Sequence, residues 1–246
     1  MESNLAFPAR ALAVGAHPDD VEFGCGGTLA KWAANGCEIF HLICTDGSKG
    51  TWDPGRDPAE LVVARRHEQR AASVALGGKG EVIFLGWPDG ELESGLRQRF
   101  EVAAAIRKLK PDVVLGHDPW KRYRLHPDHR NAGFLLTDGI VAARDPLFFP
   151  ELGDLPHRPR TLLLFEADEP DHLEDVSAFV ATKLAALLQH KSQLHSTMGI
   201  TEIEPAETKD NPEVVEFKRR VTDRLASQGL EAGFEAAEAF KRIDNL

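Results

Sequence analysis

The 246-residue chain predicts an α/β fold: a Rossmann-like three-layer sandwich with a mostly parallel central sheet and a C-terminal elaboration. Two observations carry that expectation. Over the first two-thirds, short apolar runs of strand length alternate with stretches of helical period, the pattern of βαβ units. Polar clusters then follow the apolar runs, where open parallel sheets gather ligands outside the carboxyl ends of their strands. The hydrophobic fraction of 42% and charged fraction of 28% are those of a soluble globular protein large enough for a well-buried core.

The elements follow in order. Ala11–Gly15 (ALAVG) reads as a buried strand, and Gly26–Asn35 as a helix with Leu29, Ala30 and Ala33 on one face. Glu38–Cys44 (EIFHLIC) is a second strand, followed by a Gly-, Pro- and Asp-rich loop from Asp46 to Pro58. Ala59–Leu76 is a long amphipathic helix, Val82–Leu85 a third strand and Leu96–Leu109 a helix leading through Pro111 into a strand at Val113–Leu115. His126–Ala143 is helical and Thr161–Phe165 (TLLLF) is a further apolar strand. Beyond it, Val176–Leu194 and Val214–Ala226 have helical spacing, separated by a loop at Gly199–Pro212. No repeat or linker divides the chain, so residues 1–246 are expected to form one domain, with a core at about 10–166 and an elaboration at about 167–246.

A net charge of −10 argues against nucleic acid or an anionic membrane as partner. The three cysteines, Cys25, Cys37 and Cys44, form no CxxC pair and suit buried, reduced thiols in a cytoplasmic protein. Cys25 lies near enough to the first motif to approach a site there. Residues 1–10 lack a basic region followed by an apolar run, so no signal peptide is expected, and no stretch reaches the roughly 20 apolar residues of a membrane span.

The chemistry is concentrated in two segments. Ala16-His17-Pro18-Asp19-Asp20 follows the first strand, and His126-Pro127-Asp128-His129 follows the fourth. Together they offer two imidazoles and a carboxylate to a metal, with a second carboxylate free beside it. A hydrolytic zinc site needs that set: three protein ligands, an open position for water and a base. Asp19 and Asp20 are adjacent and point different ways, so one can bind a metal while the other faces the open position. His126 and His129 share a face at a helix start, so one can bind metal while the other reaches a substrate oxygen. The structural alternatives are an Asp-Asp helix cap and a structural or solvent-exposed His pair.

AHPDDVEFGCGGTLAKW, ARRHEQRAASVALG and HPDHRNA resemble the LmbE-like, or PIG-L, family of zinc-dependent N-acetylglucosaminyl deacetylases, from Arg10 to about Leu194. Segments around Pro150-Glu151-Leu152, His157-Arg158-Pro159 and Lys183–Leu194 most resemble the bacillithiol-biosynthesis type, which acts on N-acetylglucosaminyl malate. The resemblance implies that His17, Asp20 and His129 hold Zn2+, with another divalent metal as the alternative. It makes Asp19 the general base and His126 the stabiliser of the oxyanion and proton donor to the amine, oriented by Asp128. Arg65 and Asp89 are implied as substrate contacts; their structural alternatives are an Arg65–Glu68 helix-surface pair and an Asp89-Gly90 turn. Some relatives carry a tyrosine two residues before HPDH; here that position is Arg124, with Tyr123 one earlier.

The expected function is therefore removal of acetyl from the N-acetylglucosamine of a small conjugate, by a homo-oligomer (trimer or hexamer, as the resemblance implies). The alternatives are an amidase acting on a glucosaminyl thiol conjugate and a non-catalytic sugar or nucleotide binder. Against the last, Leu29 stands where a G-x-G-x-x-G fingerprint needs its third glycine.

Overall fold

The computed structural model describes residues 2–201 and 211–246, so most of the expected loop at 199–212 lies outside the described residues. The strands are β1 (Glu2–Ser3), β2 (Arg10–Gly15), β3 (Glu38–Thr45), β4 (Val82–Trp87), β5 (Val113–His117), β6 (Thr161–Phe165), β7 (His172–Asp175) and β8 (Ala237–Asp244). The α-helices are α1 (Asp20–Ala34), α2 (Pro58–Ala75), α3 (Leu96–Leu109), α4 (Pro127–Arg144), α5 (Val180–Leu187) and α6 (Pro212–Gly229). Among the described residues the eight strands form one sheet in the order β1-β7-β8-β6-β5-β2-β3-β4. Pairing is parallel except where β8 runs antiparallel to β6 and β7. The expected α/β architecture with a mostly parallel sheet is what forms.

Both faces of the sheet are covered, which is why its strands read as continuous apolar runs. On β2, Leu12 and Val14 enter a core shared with Val102 and Ile106 of α3 and Leu135, Leu136 and Ile140 of α4. Ala11 and Ala13, pointing the other way, join Val21, Leu29 and Trp32 of α1, Ala72 of α2 and Ala186 of α5. β2 lies between β3 and β5, and the chain returns across it after β4. The carboxyl ends of β2 and β5 therefore flank the reversal of strand order, where such sheets bind ligands.

Helix α1 starts at Asp20 rather than at the expected Gly26, and is interrupted at Cys25 (φ −148°, ψ 19°). Glycines within the helix permit close packing. A Cβ on Gly24 would stand 2.6 Å from the Phe165 ring, and one on Gly27 would stand 2.9 Å from Val176. Past the interruption, the N–H groups of Gly27 and Thr28 donate to the Glu238 carboxylate at 2.9 and 2.7 Å, so β8 caps the second half of α1. The helical expectation over 176–194 is corrected: turns at Ser177–Phe179 and Lys191–Gln193 flank the shorter α5. Strands β1, β7 and β8 were not expected; β7 and β8 carry buried polar residues, His172, Glu174 and Glu238, that hide the strand pattern.

All three cysteines are free and buried. Cys25 donates to Val21 O at 3.4 Å inside α1, and burial pushes its thiol well above the ordinary range. No helix among the described residues is long and apolar enough to cross a membrane.

Candidate metal centre

The turn after β2 supplies His17, Pro18 and Asp19, Asp20 opens α1, His117 ends β5, and His126 and His129 flank the first turn of α4. His17 Nδ1 lies 3.4 Å from Asp20 Oδ2 and 3.2 Å from His129 Nε2. His129 Nε2 lies 3.3 Å from Asp20 Oδ1, which closes the triangle. A tetrahedral zinc ion with bonds of roughly 2.0–2.2 Å sets its ligand atoms about 3.3–3.6 Å apart, so this donor triangle has the span of one ion. Two ring nitrogens and a carboxylate aimed at a common point repel unless a cation or a proton lies between them.

The electrostatics agree. Burial works against charge on His17, yet its hydrogen bonds to Asp128, Asp20 and Asp89 hold its pKa well above the ordinary histidine value. Burial raises Asp20, but the imidazoles of His129, His117 and His17 gathered around it outweigh burial and lower the carboxyl well below its usual range. His129, pulled down to about 4 chiefly by burial, is neutral at pH 7, as a ligand must be. Three carboxylates converging on His17 make a place that favours a positive charge.

Asp128 is fully buried, and its carboxylate does not go to His126. Oδ2 accepts from His17 Nε2 at 3.0 Å and from Gly90 N at 2.6 Å, while Oδ1 accepts from Leu92 N at 3.2 Å. In the neutral ring that a bound cation requires, donation from Nε2 would leave the Nδ1 lone pair facing the triangle, the arrangement by which carboxylates fix metal-binding histidines. The backbone N–H of Asp128 donates to His126 Nδ1 at 3.3 Å, which leaves Nε2 of the neutral ring as the donor. His126 is exposed and stacks on His129 with ring centres 4.7 Å apart.

Asp19 is buried and sits at the start of α1, yet its side chain makes no capping hydrogen bond. Burial raises its pKa to about 6, against the lowering effect of Arg65. Asp89, also buried, places Oδ1 3.3 Å from His17 Nε2 and accepts from Lys49 N at 3.0 Å through Oδ2. Arg65 donates to Pro18 O at 2.6 Å and Gly47 O at 2.9 Å. Glu68, its partner in the alternative helix-surface reading, instead accepts from Ser192 N and Oγ. A solvent-open cleft of about 390 Å³ is lined by His17, Asp19, Asp20, Arg65, Asp89, His126 and His129 together. Asp128 lies beneath it.

Several contributors carried no motif. Buried His117 places Nε2 3.2 Å from Asp20 Oδ2 and stacks on His129 with ring centres 4.4 Å apart. Arg124 turns inward to pair with Glu166 and donates to His129 Nδ1 at 2.9 Å, while Tyr123 is exposed. A neutral imidazole cannot both ligate through Nε2 and accept at Nδ1, so an ion would break the Arg124–His129 contact and leave the guanidinium to Glu166 and to His117 Nδ1, 3.2 Å away. The available signal for His117 was its place at the end of an apolar strand.

The comparisons with known proteins bear on the same residues. The family model described as PIG-L, GlcNAc-PI de-N-acetylase, matches residues 12–140. The diacetylchitobiose deacetylase of Thermococcus kodakarensis is 35% identical over 189 residues, spanning 75% of this chain and 70% of that protein. The chain belongs to the PIG-L family. A 1D-myo-inositol 2-acetamido-2-deoxy-alpha-D-glucopyranoside deacetylase of Actinosynnema mirum is another relative, 32% identical over 77% of this chain and 82% of its own length. The solved N,N'-diacetylchitobiose deacetylase of Pyrococcus horikoshii superposes with a TM-score of 0.83 at 27% identity, covering 96% of this chain and 84% of that one. These PIG-L relatives are deacetylases, hydrolases of amide bonds, and the expected family and fold stand.

Proposed function

We propose that this protein is a zinc-dependent N-deacetylase that removes the acetyl group from the N-acetylglucosamine part of a small conjugate. The donor triangle of His17 Nδ1, the Asp20 carboxylate and His129 Nε2, at 3.2–3.4 Å spacing, carries the reading. The N-acetylglucosamine substrates named for the relatives support the substrate class.

His17, Asp20 and His129 would hold the ion, which supplies Lewis-acid polarisation of the acetyl carbonyl and of an attacking water. Asp19 would take the proton of that water; its carboxyl, raised by burial to about 6 before an ion binds, is ionised at neutral pH as a base must be. His126, whose Nδ1 accepts from the Asp128 N–H, would offer its Nε2–H to the developing alkoxide. Collapse toward products requires a proton on the leaving nitrogen, and His126 and protonated Asp19 are the two groups placed to give one. Asp128 orients both histidines, His17 through its carboxylate and His126 through its backbone N–H. Asp89 and Arg65 would present a carboxylate and a guanidinium edge to sugar hydroxyls.

We also propose one functional domain, a cytoplasmic location and a homo-oligomeric assembly. The single sheet supports the first and reduced thiols the second; the third rests on family resemblance alone. Light scattering that gave the monomer mass would contradict it. For the catalytic reading, Asp19→Ala should keep bound zinc and lose about 10²–10⁴ in turnover, whereas His129→Ala should lose the zinc. Undiminished turnover in zinc-loaded Asp19→Ala protein would remove Asp19 from the base role.

A further inference from the structure

We infer that Gln69 is a positioning residue for the base: with Arg65 it clamps the Pro18–Asp19 peptide plane and so aims the Asp19 carboxylate. The inference rests on the proposed role of Asp19. That residue has φ 99° and ψ −26°, a left-handed conformation that side-chain-bearing residues keep only when their surroundings hold it. Pro18 C=O and Asp19 N–H belong to one peptide group. The oxygen accepts from Arg65 Nη2 at 2.6 Å, and the N–H donates to Gln69 Oε1 at 2.9 Å. Arg65 and Gln69 stand one turn apart on α2, so a single rigid face grips both ends of the peptide.

The grip is itself fixed from behind. Gln69 Nε2 donates to Glu22 Oε1 at 2.8 Å and lies 3.2 Å from His41 Nδ1. Glu22 Oε2 lies 3.1 Å from His190 Nε2. Glu22, His41, Gln69 and His190 are fully buried. A carboxylate on one side and an N–H on the other admit one orientation of the Gln69 amide: nitrogen toward Glu22, oxygen toward Asp19. Released from that oxygen, the peptide can rotate, relieve the left-handed φ and swing the carboxylate off the attacking water. The zinc ligands do not hydrogen-bond to Gln69, so the loss should fall on turnover and not on metal or substrate binding.

The test compares zinc-loaded wild type, Gln69→Met, Gln69→Glu and Asp19→Asn, with N,N'-diacetylchitobiose as first probe. Gln69→Met, similar in size but without the acceptor, should lower kcat on the order of 10²-fold, the cost of a displaced reacting group. KM should stay within about threefold and bound zinc should not change. Gln69→Glu should restore kcat, because the introduced carboxyl, when protonated, keeps one oxygen for Asp19 N–H and donates its proton to Glu22. Wild-type kcat in Gln69→Met beside an inactive Asp19→Asn overturns the clamp alone, as does a Gln69→Glu variant no better than Gln69→Met. An active Asp19→Asn overturns the base reading beneath it. If Gln69→Met does not fold, amide exchange in the wild type decides: an Asp19 N–H protected like those of β2 supports the clamp, and exchange at loop rates overturns it.

Discussion

Asp128 does two jobs with two different groups. Its carboxylate accepts from Nε2–H of His17 and so presents Nδ1 to the metal position, while its N–H donates to Nδ1 of His126 and leaves Nε2–H as a donor. Asp128→Ala removes only the first. Zinc affinity should drop about 10–100-fold, as when a partner behind a metal-binding histidine is lost; unchanged affinity in a chelator competition would contradict that role. Asp19 sets the acid limb of activity. Its carboxyl, raised to about 6 without an ion, must be ionised to act as base, so kcat/KM should fall as pH drops through its pKa. A bound cation favours the ionised form, so the limb of the loaded enzyme should lie below 6 and the metal-free carboxyl should titrate near 6. A limb above about 7 would point to another group. Residue types at motif spacing were enough to single out His17, Asp19, Asp20, His126, Asp128 and His129. Which atom each offers was not legible, because that depends on partners distant in sequence, as the separation of 111 positions between His17 and Asp128 illustrates.

At the scale of elements, the strands and helices nearest the motifs were readable because both sheet faces are covered and the apolar runs are unbroken. The start of α1 was not, since its glycines have low helix propensity and are required by contacts with Phe165 and Val176 that sequence does not display. Strand β8 was missed for a related reason. Its Glu238 points inward to cap Gly27 and Thr28 and to accept from Lys183 Nζ at 2.6 Å, which disrupts the apolar alternation expected of a strand. Gln69 did leave a trace: a polar side chain on the face of α2 that buries Leu61, Arg65 and Ala72. The Lys183–Glu238 pair is almost fully buried, so Glu238→Ala should destabilise by about 3–5 kcal/mol in denaturant unfolding through the stranded lysine charge. Lys183→Met combined with Glu238→Gln should recover most of that loss, and equal losses in single and double variants would contradict a charge-burial origin.

Across the whole molecule, the reversal of strand order at β2 gathers the ends of β2 and β5 and the start of α4 at one edge of the sheet. Residues more than a hundred positions apart in sequence thus meet within one ion's span, and α2 backs the arrangement from the side. The diacetylchitobiose and inositol-conjugate deacetylases that share this family act on N-acetylglucosamine joined to different partners. What those relatives share is the amide chemistry at N-acetylglucosamine. The most direct measurement is acetate release from a panel of N-acetylglucosamine conjugates by the purified protein, untreated, chelated and restored with zinc. Activity should vanish on chelation and return at one zinc per chain. Activity that survives complete removal of metal, or no acetate from any conjugate with zinc fully bound, would contradict zinc-dependent deacetylation.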